Sequence, residues 1–262
     1  MKKSLTAVVL ILAVSAGTVQ AGTSFAGRVV SYDPSTASES GYTNPEAALG
    51  QIAVDTGWGA TTPFNMPFTS DDFVTIGEGG HLTLELENYL LPGDGFELGV
   101  FSYQMFYQDG WPDGGTTDPV DLFRPTQMAV VEVSEGGSDW YALNGGDRIQ
   151  MDMPAAAYSD AEATIESDFS KPFTVSLSDF DGLGSVQEVL DVFDGSAGGT
   201  WLDVSEAGLD RIGYVRFTVP YGDAFELEAV SIASGAIGAA VPEPLSILLL
   251  GTGACFLRRR SS

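Results

Sequence analysis

The chain has one cysteine, one histidine and few positive charges. Cys255 lies in an apolar run near the C-terminus, so the region before it has no disulfide and no thiol chemistry. A domain of that length can hold together on its core alone, whereas small secreted domains usually need disulfides. His81 is the only histidine, which excludes multi-histidine metal sites and leaves one imidazole as a candidate base. Only 11 Lys and Arg face 36 Asp and Glu, a formal charge of −25. Such a polyanion repels nucleic-acid phosphates and anionic lipid surfaces, which argues against nucleic acid as a partner. Divalent cations, cationic partners and neutral glycans stay open. So does the plainer reading that an acidic surface keeps the protein dispersed. There is no internal repeat, and no Gly-x-Ser-x-Gly turn to expose a nucleophilic serine.

Both ends carry processing patterns. Met1-Lys2-Lys3 is followed by an apolar core from Leu5 to Val14, and Val19-Gln20-Ala21 places small residues at −3 and −1. Signal peptidase is therefore expected to cut between Ala21 and Gly22. The apolar core is too short to span a bilayer, which takes about 20 residues. At the other end, Pro242-Glu243-Pro244 precedes an apolar stretch over 245–257 and then Arg258, Arg259 and Arg260. That stretch is short and contains Gly251, Thr252 and Gly253, so it spans only with flanking residues or a thinned bilayer. The three arginines form a cytoplasmic stop under the positive-inside rule.

This order of parts resembles the PEP-CTERM sorting signal of bacterial exported proteins. The resemblance implies an exosortase, a membrane transpeptidase-like enzyme that cuts near Pro-Glu-Pro and passes the exported part to the cell surface. The expected divisions are a signal peptide over 1–21, an extracellular domain over 22–232, a flexible small-residue linker over 233–241 and a sorting signal over 242–262. Between residues 22 and 241 remain 6 basic and 35 acidic residues, a net charge of −29.

Thirty-two glycines and 13 prolines punctuate the chain, with apolar alternation between them. His81-Leu82-Thr83-Leu84-Glu85-Leu86 puts leucines on one face and polar groups on the other, the pattern of a half-buried strand. Further strands are expected over 27–32, 96–103, 128–134, 140–143, 173–177, 212–219 and 225–232. Two short helices are expected. One begins at Asn44-Pro45 and stops at Gly50; the other, 185–193, spaces Val186, Val189, Leu190 and Phe193 along one face. The fold class is mainly β, an antiparallel sandwich with one or two short helices, flanked by the signal peptide and an apolar sorting helix. A second resemblance rests on Tyr42–Gly50, Val74–Leu86, Gly93–Phe101, Val131–Ser134 with Asp139–Tyr141, and Tyr214–Phe217 with Phe225–Val230. These blocks are similar, in order, to PEP-CTERM cell-surface proteins with discoidin- or galactose-binding-like folds. That similarity implies a jelly-roll-like sandwich and carries over no catalytic residue.

The segment 103–113 mixes aromatics with carboxylates, the combination that contacts sugars through ring faces and hydrogen bonds. Tyr107, Asp109, Trp111 and Asp113 are the candidate glycan-binding residues, against the alternative that the rings fold back to cover the sandwich end. Asp179 and Asp181, with Gly182 after them, offer part of an oxygen shell that a Ca²⁺ ion would take, without the closing Glu of a twelve-residue loop. The same holds for Asp191 and Asp194. Taken together, the sequence predicts an exported protein of the cell surface or extracellular matrix, a non-enzymatic structural or glycan-binding module with extracellular polysaccharide as a candidate partner. The alternative is a secreted carbohydrate-active hydrolase using two carboxylates.

Overall fold

The computed structural model describes residues 24–107 and 121–242. Two antiparallel sheets pack face to face. The larger has seven strands. β1 (Ala26–Asp33), β3 (His81–Leu90), β9 (Ile212–Thr218), β5 (Met128–Ser134) and β6 (Tyr141–Ala142) lie side by side, with β11 (Ile237–Ala240) on β3 and β7 (Ile149–Gln150) on β5. The smaller runs β2 (Val74–Ile76), β10 (Phe225–Ile232), β4 (Leu98–Ser102) and β8 (Thr200–Leu202).

Period-2 alternation builds the core between them. Leu82, Leu84 and Leu86 from β3, Val131 and Val133 from β5, and Val215 and Phe217 from β9 meet Phe225, Leu227, Val230 and Ile232 from β10. Each fully buried side chain of this kind contributes about 1.5–3 kcal/mol. Part of the polar face of β3 is buried as well, a departure from the half-buried strand expected. Thr83 and Glu85 are covered because Arg28 ion-pairs with Glu85, and Arg216 lies opposite Thr83 across the β3–β9 pair.

A third layer covers the outer face of the smaller sheet. Ile52, Met66, Ala155, Ala157, Phe169 and Ala197 come from loops and pack on Phe101 of β4 and Ala229 of β10. This layer is why every residue of β10 is buried.

The strands expected over 128–134 and 225–232 match β5 and β10 end for end. The helix expected from Asn44 is a four-residue 3-10 turn, Pro45–Ala48, capped where Asn44 accepts the Glu46 N–H at 3.2 Å. The second helix is α1 (Val186–Phe193). Ser185 caps it by accepting the Glu188 N–H, and it ends at Asp194, which adopts φ +48°.

Two expectations are corrected. Residues 173–177 form no strand; Phe173 instead stacks on Phe193 at 4.8 Å, and Leu177 opens a 3-10 turn, Leu177–Phe180. A capping box at Ser176 and Asp179 wins over the β-forming composition. The segment 233–241, expected to be a flexible linker, is paired: it forms a 3-10 turn and then β11 against β3. Its small residues let the backbone lie close, and a Cβ on Gly238 would sit 2.9 Å from the Tyr89 carbonyl oxygen.

Candidate functional site

Residues 103–107 and 121–124 run antiparallel. Tyr107 N–H donates to the Asp121 carbonyl at 2.7 Å and Phe123 N–H to the Met105 carbonyl at 2.9 Å. Phe106 N–H donates at 2.7 Å to the carbonyl of Pro63, which belongs to a tight turn closed by reciprocal backbone bonds between Thr62 and Asn65. The Asn65 amide holds that turn by donating to Thr56 Oγ1 and the Ala60 carbonyl.

These segments enclose a groove of about 290 Å³ lined by Phe64, Asn65, Met66, Phe68, Tyr103, Met105, Phe106, Tyr107 and Phe123. Its floor is fixed. Phe106 is fully buried and packs on Phe180 at 4.9 Å and Phe64 at 5.8 Å. Its rim is open: Tyr107 is 54% exposed, Phe123 46% and Phe68 39%. Of the two readings of the aromatic segment, folding back holds for Phe106 and not for Tyr107.

Tyr103 forms one wall through a column of rings. It stacks on Phe73 at 4.3 Å, and Phe73 stacks on Tyr42 at 4.3 Å, both pairs nearly parallel. The Arg124 guanidinium lies 5.6 Å from the Tyr103 centroid and grips Glu226 with two N–H groups, one at 2.8 Å. Gln104 clamps Arg124 from the backbone side, accepting its N–H and donating to its carbonyl. Burial, with the carboxylate of Glu228 next, pushes the Tyr103 hydroxyl up to about 12.

Behind this wall sits the most unusual carboxyl of the fold. Glu228 occupies a bulge in β10, where Leu227 pairs with Ser102 but Ala229 pairs with Phe101. It is 1% exposed, and neither carboxylate oxygen has a hydrogen-bond partner. Burial raises its pKa well above the usual carboxylate value, and Asp72 and Glu226 add to the rise. Burial raises Glu226 too, opposed by Arg124. Glu226 and Glu228 are thus a close carboxyl pair on one strand, but neither lines the groove.

Asp179 is committed locally. Its Oδ2 accepts the Ser176 N–H at 2.9 Å and hydroxyl at 2.7 Å, and these bonds lower its pKa. Asp181 follows the same turn, donating its N–H to the Ser178 carbonyl. Asp191 accepts from Gln187, and Asp194 pairs with Lys171 at 2.9 Å. Among the described residues no three His, Cys, Asp or Glu side chains gather as a metal shell. His81 Nε2 lies 3.2 Å from Ser31 Oγ on the outer face of the larger sheet, and neither residue borders the groove.

Of the candidate glycan residues, Tyr107 lies in the groove, while Asp109, Trp111 and Asp113 lie outside the described residues. So do Ala21, Gly22, Glu243, Pro244, Arg258, Arg259 and Arg260; Pro242 is described and exposed. No helix among the described residues is long and apolar enough to cross a membrane, and the stretch 245–257 is not among them. Phe64, Phe68 and Phe123 lie far from Tyr107 along the chain, and no local sequence pattern joins them to it. Compared with known proteins, the chain matches no protein-family model and no curated protein.

Proposed function

We propose that the protein is an exported, exosortase-sorted protein of the cell surface or extracellular matrix, with a jelly-roll-like sandwich that binds neutral glycans without chemistry. The observation that carries the binding role is the open rim of Tyr107, Phe123 and Phe68 around a groove whose floor and wall are rigid. Three large rings left half in water forgo burial that would stabilise the fold, and a sugar's apolar C–H face can supply that burial on binding. Among the described residues the lining is uncharged, which suits a neutral ligand, and holds no acid–base pair.

The sorting role draws on the PEP-CTERM-like tail, whose first residue follows the last described backbone pairing. Ile232 N–H donates to the Ser24 carbonyl at one end, and Val241 N–H to Glu87 at the other. Pro242, the first residue of Pro-Glu-Pro, follows Val241 directly and has no N–H to donate to β3. Signal peptidase and exosortase are the partners during processing, and extracellular polysaccharide afterwards. A neutral-glycan array probed with the full-length protein tests the binding role. Binding that falls at least tenfold in Tyr107→Ala is expected; an array with no neutral glycan bound overturns it.

A further inference from the structure

A second cleft lies at the far end of β5. The strand starts five residues after Phe123, which lines the first groove, and runs roughly 20 Å to Ser134 at about 3.3 Å per residue. There the β5–β6 hairpin loop, Tyr89, Tyr141 and Leu209 enclose about 280 Å³. Unlike the first groove, this cleft is mixed in character, with Glu135, Ser138 and Asp139 beside the two tyrosines.

Its parts are held in place before any ligand arrives. The Arg211 guanidinium sits 4.3 Å from the Tyr89 centroid, and its Nε donates to Glu135 at 2.8 Å. Gly137 N–H donates to Ser134 Oγ at 2.9 Å, which folds the loop back over the strand end. A Cβ on Gly136 would meet nothing within 4 Å, so the backbone there is bare. Tyr141 is 44% exposed on a two-residue edge strand, an aromatic face that the fold leaves uncovered. A preorganised cleft with a ring face and hydrogen-bonding groups binds with less ordering cost than a flexible one.

We infer that this cleft is a second site for neutral saccharide, so that one molecule holds two glycan chains and cross-links them; the inference rests on the glycan reading of the first groove. The ligand class follows from charge. Glu135 and Asp139 stand at the cleft, and Arg211 is already committed to Glu135 and Tyr89, so an anionic sugar meets repulsion with no free cation to offset it. Once several copies link the same two chains, each further bridge forms between partners already held together, which raises avidity without new contacts.

The test is calorimetric titration of the full-length protein with malto-, cello-, manno- and xylo-hexaose, and with hexagalacturonate as the anionic control. Two equivalents of a neutral hexaose are expected, one lost in Tyr107→Ala, the other in Tyr141→Ala, and both in the double variant. Tyr141→Phe keeps the ring and should keep the second equivalent. Melting curves of the variants should match the parent, since Tyr141 is an exposed edge residue. With the matching polymer, light scattering should rise for the parent and stay flat for either single variant. A single equivalent lost in Tyr107→Ala and indifferent to Tyr141→Ala overturns the second site and leaves the first. Two equivalents that survive Tyr141→Ala, or binding of hexagalacturonate there, also overturn it. No binding of any neutral hexaose overturns the glycan reading itself and this inference with it.

Discussion

Phe25 and Val241 are hydrogen-bonded to the same residue. Glu87 donates its N–H to the Phe25 carbonyl at 3.2 Å and accepts the Val241 N–H at 2.9 Å. The first and last stretches of the fold therefore lie along one side of β3, with β9 on the other. Truncation after Ala236 removes β11 and leaves one edge of that part of β3 without a partner. Relative to truncation after Pro242, it should lower stability by about 2 kcal/mol, the loss of a few backbone hydrogen bonds at about 0.5–1.5 kcal/mol each. Urea denaturation of the two truncated chains measures the difference, and equal midpoints would show that β11 contributes nothing.

The proposed export and sorting predict processing at both ends. Mass spectrometry of surface material should find an N-terminus at Gly22 and no residues beyond the Pro242–Pro244 region. Surface protein that still carries Arg258–Arg260 would contradict sorting by an exosortase.

Adjacent rings at the groove should behave oppositely. Phe106→Ala empties a fully buried position and should cost about 3–5 kcal/mol. Tyr107→Ala, at an exposed position, should change stability by less than about 0.5 kcal/mol while weakening glycan retention. If Tyr107→Ala instead unfolds the protein, the ring belongs to the core and the groove has no free rim.

Glu228 sets a pH dependence whose sign can be worked out. Its pKa in the fold lies well above that of the unfolded chain, about 4.3, so the folded state holds the proton more tightly. The stability it contributes is fully present below the unfolded value and is lost as pH rises through the folded one. Denaturation midpoints should therefore fall from pH 5 to pH 8, and Glu228→Gln, which cannot ionise, should flatten that fall and be the more stable protein at pH 8. A variant with the parent's slope would place the titration elsewhere.

Two glycines near α1 should differ sharply although both have φ of +76°. A Cβ on Gly198 would fall on the Phe193 ring and the Pro154 carbonyl, whereas one on Gly195 meets nothing within 4 Å. Gly195→Ala should cost about 1 kcal/mol of backbone strain. Gly198→Ala should cost several times that, or prevent folding. Thermal melts that rank the two equally would mean that the ring relaxes away.

How much of this was legible in the sequence follows from where the information resides. β3, β5 and β10 advertise themselves because their inward leucines, valines and phenylalanines alternate within one short window. β8 hides behind the glycines at 195, 198 and 199, and β11 behind residues too small to show alternation. The third layer left no periodic trace. It is held by side-chain to backbone bonds, such as Thr61 Oγ1 to the Ala53 carbonyl, and by single apolar residues dropped onto β4 and β10. Of the groove, Tyr107 could be read from its aromatic neighbourhood. Its companions Phe68 and Phe123 become rim residues only through the ladder between 103–107 and 121–124, which no local pattern announces.

All six cations between residues 22 and 241 are occupied. Arg28, Arg124, Lys171, Arg211 and Arg216 are paired with carboxylates, and Arg148 lies 4.4 Å from the Tyr221 ring while donating to the Tyr221 carbonyl. The surplus of acids therefore meets the solvent with its own counterions, held within about 8 Å at physiological salt. Where many copies crowd among polysaccharide chains, those counterions exert an osmotic pressure that draws in water. Under the proposed glycan-binding role, the protein would act there as a swelling agent that keeps strands apart and hydrated, and the layer would contract when salt rises.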